Sequence, residues 1–115
     1  MASNPHGSDH WKAQRLTAIS LFPLSLWFLG SLLIYSPSEY AAIVMWLKSP
    51  LSATGIVLLI GVLLYHAQLG IQVVIEDYIH RPTLTVSLVY SLKAVALSLF
   101  ILACFCVLKI HFHPL

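Results

Sequence analysis

The stretch His66-Ala-Gln-Leu-Gly70-Ile-Gln-Val-Val-Ile-Glu-Asp77-Tyr78 decides the fold of this chain, because it places a histidine inside a long apolar run. A titratable side chain inside a membrane span is costly, and it therefore usually faces a partner, a cofactor or water. Asp77 follows eleven residues after His66, which on a helix is nearly the same face and roughly 16 Å further along the axis. The stretch predicts a transmembrane helix with one polar group deep in the lipid and a second polar site at the water boundary.

The composition excludes an ordinary soluble domain. The chain has 115 residues, of which 59% are hydrophobic and 9% are charged, and its mean hydropathy is +0.89. A soluble domain carries about a quarter charged residues. Membrane lipid is therefore the expected surrounding, and we expect no nucleic-acid partner.

Three stretches are long and apolar enough to cross a bilayer. Residues 16–38 and 49–75 contain no Lys, Arg, Asp or Glu, and Lys93 is the only such residue between positions 82 and 108. A spanning helix needs about 20 apolar residues. We therefore predict an all-α membrane protein with helices near 15–36, 51–76 and 83–108. They would form one three-helix domain over 15–115, running up-down-up, after a polar segment over 1–14.

The basic residues indicate an orientation. Lys12, Arg15 and Arg81 are expected at one surface, with Lys48 and Lys109 at the other. By the positive-inside tendency, three against two favours an N-terminus on the cytoplasmic or matrix side. The polar start and the long apolar run after it are not typical of a cleaved secretory signal, so we expect the first span to remain in the protein.

Small residues accompany His66 on one face of the second span. Ser52, Gly55 and Gly70 lie close to the line that joins His66 to Asp77. They would let a flat, bulky ligand or a partner helix approach the backbone, but ordinary helix packing uses the same pattern. A neutral imidazole is a good axial ligand of haem iron. A six-coordinate haem would need its second axial ligand from another chain. The alternative is that His66 only forms a hydrogen bond to a neighbouring helix.

Lys93 is the one charged residue inside the third predicted span. It lies about ten residues into that helix, at roughly the depth of His66. The cost of this charge would be relieved if the ammonium group paired with a propionate or an acidic group. It would also be relieved if the side chain extended and brought the ammonium group to the interface.

The order and spacing of these residues resemble a known family. The parts that carry the resemblance are, in chain order, Arg15-Leu-Thr-Ala, His66, Gly70 and Asp77-Tyr78. Together they look like the small membrane-anchor subunit of succinate dehydrogenase (respiratory complex II). The resemblance covers nearly the whole chain in length and three-helix layout, and it is nearest to the alphaproteobacterial and mitochondrial type.

The resemblance implies a role for each matching residue. His66 would be one axial ligand of a haem b shared with the cytochrome b subunit, the other membrane subunit of the complex. Tyr78 would donate a hydrogen bond to a carbonyl oxygen of ubiquinone. Asp77 would pair with an arginine of the cytochrome b subunit and help shape the proton supply, and Arg15 would be available to a haem propionate.

The resemblance also implies partners and a location. In this family a flavoprotein subunit oxidises succinate, an iron–sulfur subunit carries the electrons, and the anchor subunits attach both to the bacterial or mitochondrial inner membrane. Nothing in this chain resembles a flavin, dicarboxylate or iron–sulfur site. The chain is therefore expected to contribute to quinone reduction as a non-dehydrogenase subunit. Some family members lack haem, and the anchor role would not depend on it.

Two other functions remain open on the residues alone. One is a small proton or ion transporter subunit with His66 as the relay, which would require oligomerisation around a pathway. The other is a structural membrane assembly subunit in which His66 only packs. Tyr78 could equally be an interfacial anchor, and Arg15 could be an ordinary positive-inside residue.

Overall fold

The computed structural model describes residues 5–35 and 39–113, and these residues form four α-helices. They are α1 (Pro5–Tyr35), α2 (Tyr40–Lys48), α3 (Pro50–Tyr78) and α4 (Pro82–His111). Three of them, α1 from Asp9 onward, α3 and α4, are long and apolar enough to cross a membrane. The predicted all-α, three-span architecture is confirmed.

The central helix is α3, which packs against α1, α2 and α4. Its contacts with α1 run in antiparallel order, because Thr17 lies against His66 and Trp27 lies against Gly55. Only residues 79–81 separate α3 from α4. A connection this short leaves the two helices antiparallel, as the sequence predicts.

The helices extend beyond the apolar runs from which they were predicted. α1 begins at Pro5 rather than near residue 15, and α3 and α4 end at Tyr78 and His111 rather than near 76 and 108. A helix bonds its own backbone, so it can continue into water without apolar side chains, and proline suits its first turn. The predicted end of the first span, at Ser36, lies outside the described residues.

The nine-residue helix α2 was not predicted. It is about 14 Å long and cannot span a bilayer. The ring of Trp46 stacks on that of Trp27 from α1, with centroids 5.8 Å apart. On the α4 side, Nδ1 of His111 donates to the Leu47 carbonyl oxygen at 3.0 Å. These contacts hold α2 across the end of the bundle opposite Tyr78.

The burial pattern is the reverse of a soluble protein's. Many large apolar side chains face outward, including Leu33 at 82% exposure and Phe22 at 70%. Helix contacts in membranes use small and polar residues, because lipid already satisfies apolar ones. The buried polar residues of the described chain are Thr17, Ser31, Ser52, Gln68 and Gln72.

Two glycines of α3 receive aromatic rings from this chain's own helices. A Cβ on Gly55 would lie 2.4 Å from Cη2 of Trp27, and one on Gly61 would lie 3.0 Å from Cε1 of Phe100. At Gly55, the sequence left a flat ligand, a partner helix or ordinary packing open. The structure shows packing within the chain.

Candidate functional site

His66 lies in the middle of α3 and is half-buried against α1. Its Nδ1 atom is 2.9 Å from Oγ1 of Thr17, a residue that is only 8% exposed. The antiparallel packing of α1 on α3 creates this contact between residues 49 positions apart. The sequence marks Thr17 as part of a motif but does not predict it as the partner of His66.

The hydrogen bonds around Thr17 determine which imidazole nitrogen remains available. Its hydroxyl also lies 2.8 Å from the Ala13 carbonyl oxygen and 3.0 Å from that of Gln14. A hydroxyl has one proton, and the contacts to the two carbonyl oxygens are hydrogen bonds because Thr17 donates that proton to them. The oxygen of Thr17 then accepts from Nδ1–H of His66. In a neutral imidazole this leaves Nε2 with a lone pair to offer.

Within the described residues, a buried acceptor without a hydrogen-bond partner belongs to Gln14, whose side chain lies beside Gly70, one turn along α3 from His66. The side chain of Gln14 covers Gly70, where an added Cβ would be 3.5 Å from Nε2 of Gln14. Oε1 of Gln14 is buried and has no hydrogen-bond donor within the described residues. Such an orphaned acceptor typically costs about 1–3 kcal/mol. A donor from a molecule outside this chain would remove that cost.

Asp77 and Tyr78 occupy the end of α3, and both are exposed. Tyr78 is the last helical residue and is 80% exposed, so its hydroxyl is open to a molecule from outside the chain. His66 and Asp77 share α3 without a break between them. The predicted spacing, one face and roughly 16 Å of helix, therefore applies.

An open cavity lined by both polar and apolar side chains lies at the connection between α3 and α4, next to Tyr78 in the chain. Its volume is about 490 Å³, and its lining includes His80, Arg81, Thr83 and Ser87. From the sequence, Arg81 contributed to the predicted orientation, and neither His80 nor Arg81 was predicted as a site residue. Their position directly after Asp77-Tyr78, at the membrane boundary, could have indicated that they belong to this site.

Arg15 is not brought to His66. Its guanidinium carbon lies 4.7 Å from the ring centroid of Trp11, one turn earlier on α1, and the side chain is exposed. Arg15 is two residues from Thr17, which is about 200° around a helix. It therefore lies at the depth of Thr17 but on the face of α1 turned away from α3.

A chain of hydrogen bonds along α3 was missed altogether from the sequence. Nε2 of Gln68 donates to Oε1 of Gln72 at 2.7 Å, and Nε2 of Gln72 donates to Oε1 of Glu76 at 3.0 Å. Both glutamines are buried. Their spacing of four residues puts them on one helix face. Two glutamines inside an apolar span cost free energy unless their amides are hydrogen-bonded, so their presence in the sequence could have indicated these hydrogen bonds.

The metal-binding capacity of the described part of the chain is limited. Over residues 5–35 and 39–113, no three His, Cys, Asp or Glu side chains come together as a metal site. An iron bound at His66 would therefore need further ligands from a haem and from another chain.

Comparison with known proteins identifies the family. The succinate dehydrogenase/fumarate reductase transmembrane subunit family matches residues 1–108. The succinate dehydrogenase hydrophobic membrane anchor subunit of Rickettsia bellii (strain RML369-C) is 42% identical over 87 residues, covering 76% of this chain and 70% of the relative. That of Rickettsia felis (strain ATCC VR-1525 / URRWXCal2) is 34% identical over 102 residues, covering 86% and 85%.

A more distant relative is also a membrane anchor subunit. The succinate dehydrogenase membrane anchor subunit of Reclinomonas americana is 29% identical over 96 residues, covering 81% of this chain and 80% of the relative. No solved structure shows a significant match. The chain belongs to the succinate dehydrogenase/fumarate reductase transmembrane subunit family, as an integral membrane anchor similar to the alphaproteobacterial and mitochondrial ones.

Proposed function

We propose that this membrane anchor works in a succinate:ubiquinone oxidoreductase, where it supplies one axial ligand of a shared haem b and part of the ubiquinone-reduction site. The observation that carries the proposal is the hydrogen bond from Nδ1 of His66 to Thr17, which leaves Nε2 to bind iron. The exposed pair Asp77-Tyr78 on the same helix supplies the second half of the proposal.

The chemistry of His66 suits a haem. A histidine that donates its other N–H to a neighbour is held in one tautomer and orientation, which is the usual arrangement of metal-bound histidines. The second axial ligand would come from the cytochrome b subunit. When bound, a haem b supplies a one-electron carrier inside the membrane. The orphaned Gln14 oxygen supports the idea that a molecule outside the chain completes this region.

Tyr78 and Asp77 suit the quinone end. Reduction of ubiquinone takes two electrons and two protons, so the site has to lie near water and offer a hydrogen-bond donor. The Tyr78 hydroxyl can donate to a quinone carbonyl oxygen and accept from water. Asp77, one residue earlier and exposed, would pair with an arginine of the cytochrome b subunit and help shape the proton supply.

The remaining roles follow from position. We propose that the flavoprotein and iron–sulfur subunits bind at the Tyr78 end of the bundle, and that this end faces the cytoplasm or matrix, since Arg81 lies there and Lys12 and Arg15 lie on the half of α1 nearer to it. We also propose that Arg15 contacts a haem propionate. Because Arg15 lies on the face of α1 away from His66, this contact would require the haem edge to extend past α1.

A reduced-minus-oxidised absorption spectrum of the purified complex tests the haem ligand. His66→Ala should abolish or shift the b-type α-band, while succinate oxidation with an artificial dye persists because no dehydrogenase residue is touched. His10→Ala, on the polar first turns of α1, is the control and should keep the band. An unchanged band in His66→Ala would exclude His66 as a ligand. A wild-type complex without the band would exclude the haem and leave the anchor role intact.

A further inference from the structure

Lys93 lies deep inside α4. It follows Pro82 by eleven residues and precedes His111 by eighteen, which places it about 16 Å and about 27 Å from the two helix ends. The hydrocarbon core of a bilayer is about 30 Å thick. The backbone of Lys93 therefore lies within the apolar layer, where an uncompensated charge on the side chain costs free energy.

Lys93 lines an open groove between α3 and α4. The groove has a volume of about 540 Å³, and its lining includes Gly61, Tyr65, Gln68, Lys93, Leu97 and Phe100. Gln68 is two residues from His66, so the groove lies about 200° around α3 from the histidine. Lys93 is at the depth of His66, as the sequence predicts, but on the opposite side of α3 from the face that binds Thr17.

A hydrogen-bonded chain of glutamines ends at this groove. Gln68 and Gln72 point their amide donors toward Glu76, so the carbonyl oxygen of Gln68 is the acceptor end of the chain. Gln68 and Lys93 line the same groove. At the groove this chain of hydrogen bonds therefore presents the amide of Gln68, which carries no net charge. A neutral amide does not neutralise the charge of the lysine.

No carboxylate side chain of this protein reaches that depth. The four acidic residues are Asp9, Glu39, Glu76 and Asp77. All four lie near or beyond helix ends, and within the described residues none forms an ion pair with Lys93. A second copy of the chain would have the same deficit in either orientation. Lipid headgroups lie outside the hydrocarbon layer, so the ammonium group meets them only where its side chain extends along α4 to the interface.

We propose that the groove at Lys93 is the docking surface for a transmembrane helix of a different subunit, and that this helix carries an Asp or Glu at the depth of Lys93. Its apolar side chains would fill the groove between Tyr65 and Leu97, and its carboxylate would accept from the lysine ammonium group. The proposal does not depend on haem or quinone binding, since the groove lies on the other side of α3 from His66.

The first test compares two lysines of α4 in the purified complex. Lys93→Met removes the charge and keeps a long flexible side chain, and Lys109→Met makes the same change in the last turn of the helix. The measurement is the ratio of each other membrane-spanning subunit to this chain after washing with increasing detergent. Lys93→Met should weaken retention about tenfold, whereas Lys93→Arg and Lys109→Met should retain it. Equal retention in both methionine variants would overturn the proposal.

The second test begins with crosslinks in a chain that keeps Lys93 unchanged, so it remains informative even if Lys93→Met inserts poorly into the membrane. A photo-crosslinking residue replaces Leu97 in the groove or, as the control, Val95, which is similarly exposed and about 200° away on α4. The adduct from position 97 should map to a helix of another chain with an Asp or Glu within one turn. Exchange of that acid for lysine together with Lys93→Glu should restore retention. Adducts with phospholipid alone, with a second copy, or with a helix that lacks an acid would contradict the proposal.

Discussion

The hydroxyl oxygen of Thr17 lies 2.9 Å from Nδ1 of His66 and joins α1 to α3 at the middle of the bundle. Thr17 is buried, so water does not compete freely for this hydrogen bond. Since the hydroxyl proton goes to a carbonyl of α1, the imidazole donates from Nδ1 and keeps Nε2 for another molecule. One threonine on α1 therefore orients the candidate ligand on α3.

Replacing Thr17 with valine should weaken haem retention without removing the ligand itself. Valine keeps the shape of threonine but cannot accept the Nδ1 proton, so the imidazole loses its orientation. Loss of such a partner typically lowers metal affinity about 10- to 100-fold. The measurement is the haem-to-protein ratio of the purified complex, together with the haem midpoint potential.

The control for this prediction is Thr17→Ser, which keeps the hydroxyl and should restore both values. A merely structural role of Thr17 would lower the amount of complex but leave the potential of the remaining haem unchanged. That result would separate a packing residue from a positioning residue.

Tyr78→Phe should lower quinone reductase activity. The variant keeps the ring at the end of α3 but removes the donor to the quinone carbonyl, and loss of such a bond costs about 1–2 kcal/mol, or about tenfold in rate. Succinate oxidation with an artificial dye should persist. Tyr35→Phe, at the opposite end of the bundle, is the matched control. If Tyr78→Phe leaves quinone kinetics at the wild-type values, Tyr78 has no role in that site.

Gly55→Ala should destabilise the contact between α1 and α3. Its Cβ would lie 2.4 to 2.8 Å from three ring atoms of Trp27, so the indole has to move. Overpacking of this kind costs about 1–3 kcal/mol, which outweighs the helix propensity gained. At Gly30 an added Cβ meets nothing within 4 Å, so Gly30→Ala should be neutral or stabilising. The thermal dissociation temperature of the complex distinguishes the two variants, and equal values would contradict the close approach.

His111→Phe should loosen α2. The imidazole donates to the Leu47 carbonyl oxygen at 3.0 Å, and this oxygen belongs to the last turn of α2, where carbonyls lack helical partners. Phenylalanine keeps the ring but leaves the carbonyl unpaired, at a cost of about 1 kcal/mol. Hydrogen exchange of the amides over 40–48 should accelerate severalfold. His80→Phe, at the other end of α4, should leave that exchange unchanged.

The spans and the helix that carries the candidate site were predictable from local properties of the chain. Charge-free runs of this length are stable only in a bilayer, and the spacing of His66 and Asp77 is a fixed property of any continuous helix. The short helix α2 could not be predicted in the same way. Its nine residues are too few to span, and its contacts through Trp46 and Leu47 depend on the ends of α1 and α4.

The sequence by itself determined the three-span fold and the placement of His66, Asp77 and Tyr78 along one helix, because hydropathy and helical spacing are read directly along the chain. Only the tertiary structure decided that Thr17 orients His66 and that Arg15 faces away from it. It also decided that the groove at Lys93 opens on the other side of α3. These relationships join residues far apart in sequence, and they depend on the register and the facing sides of packed helices.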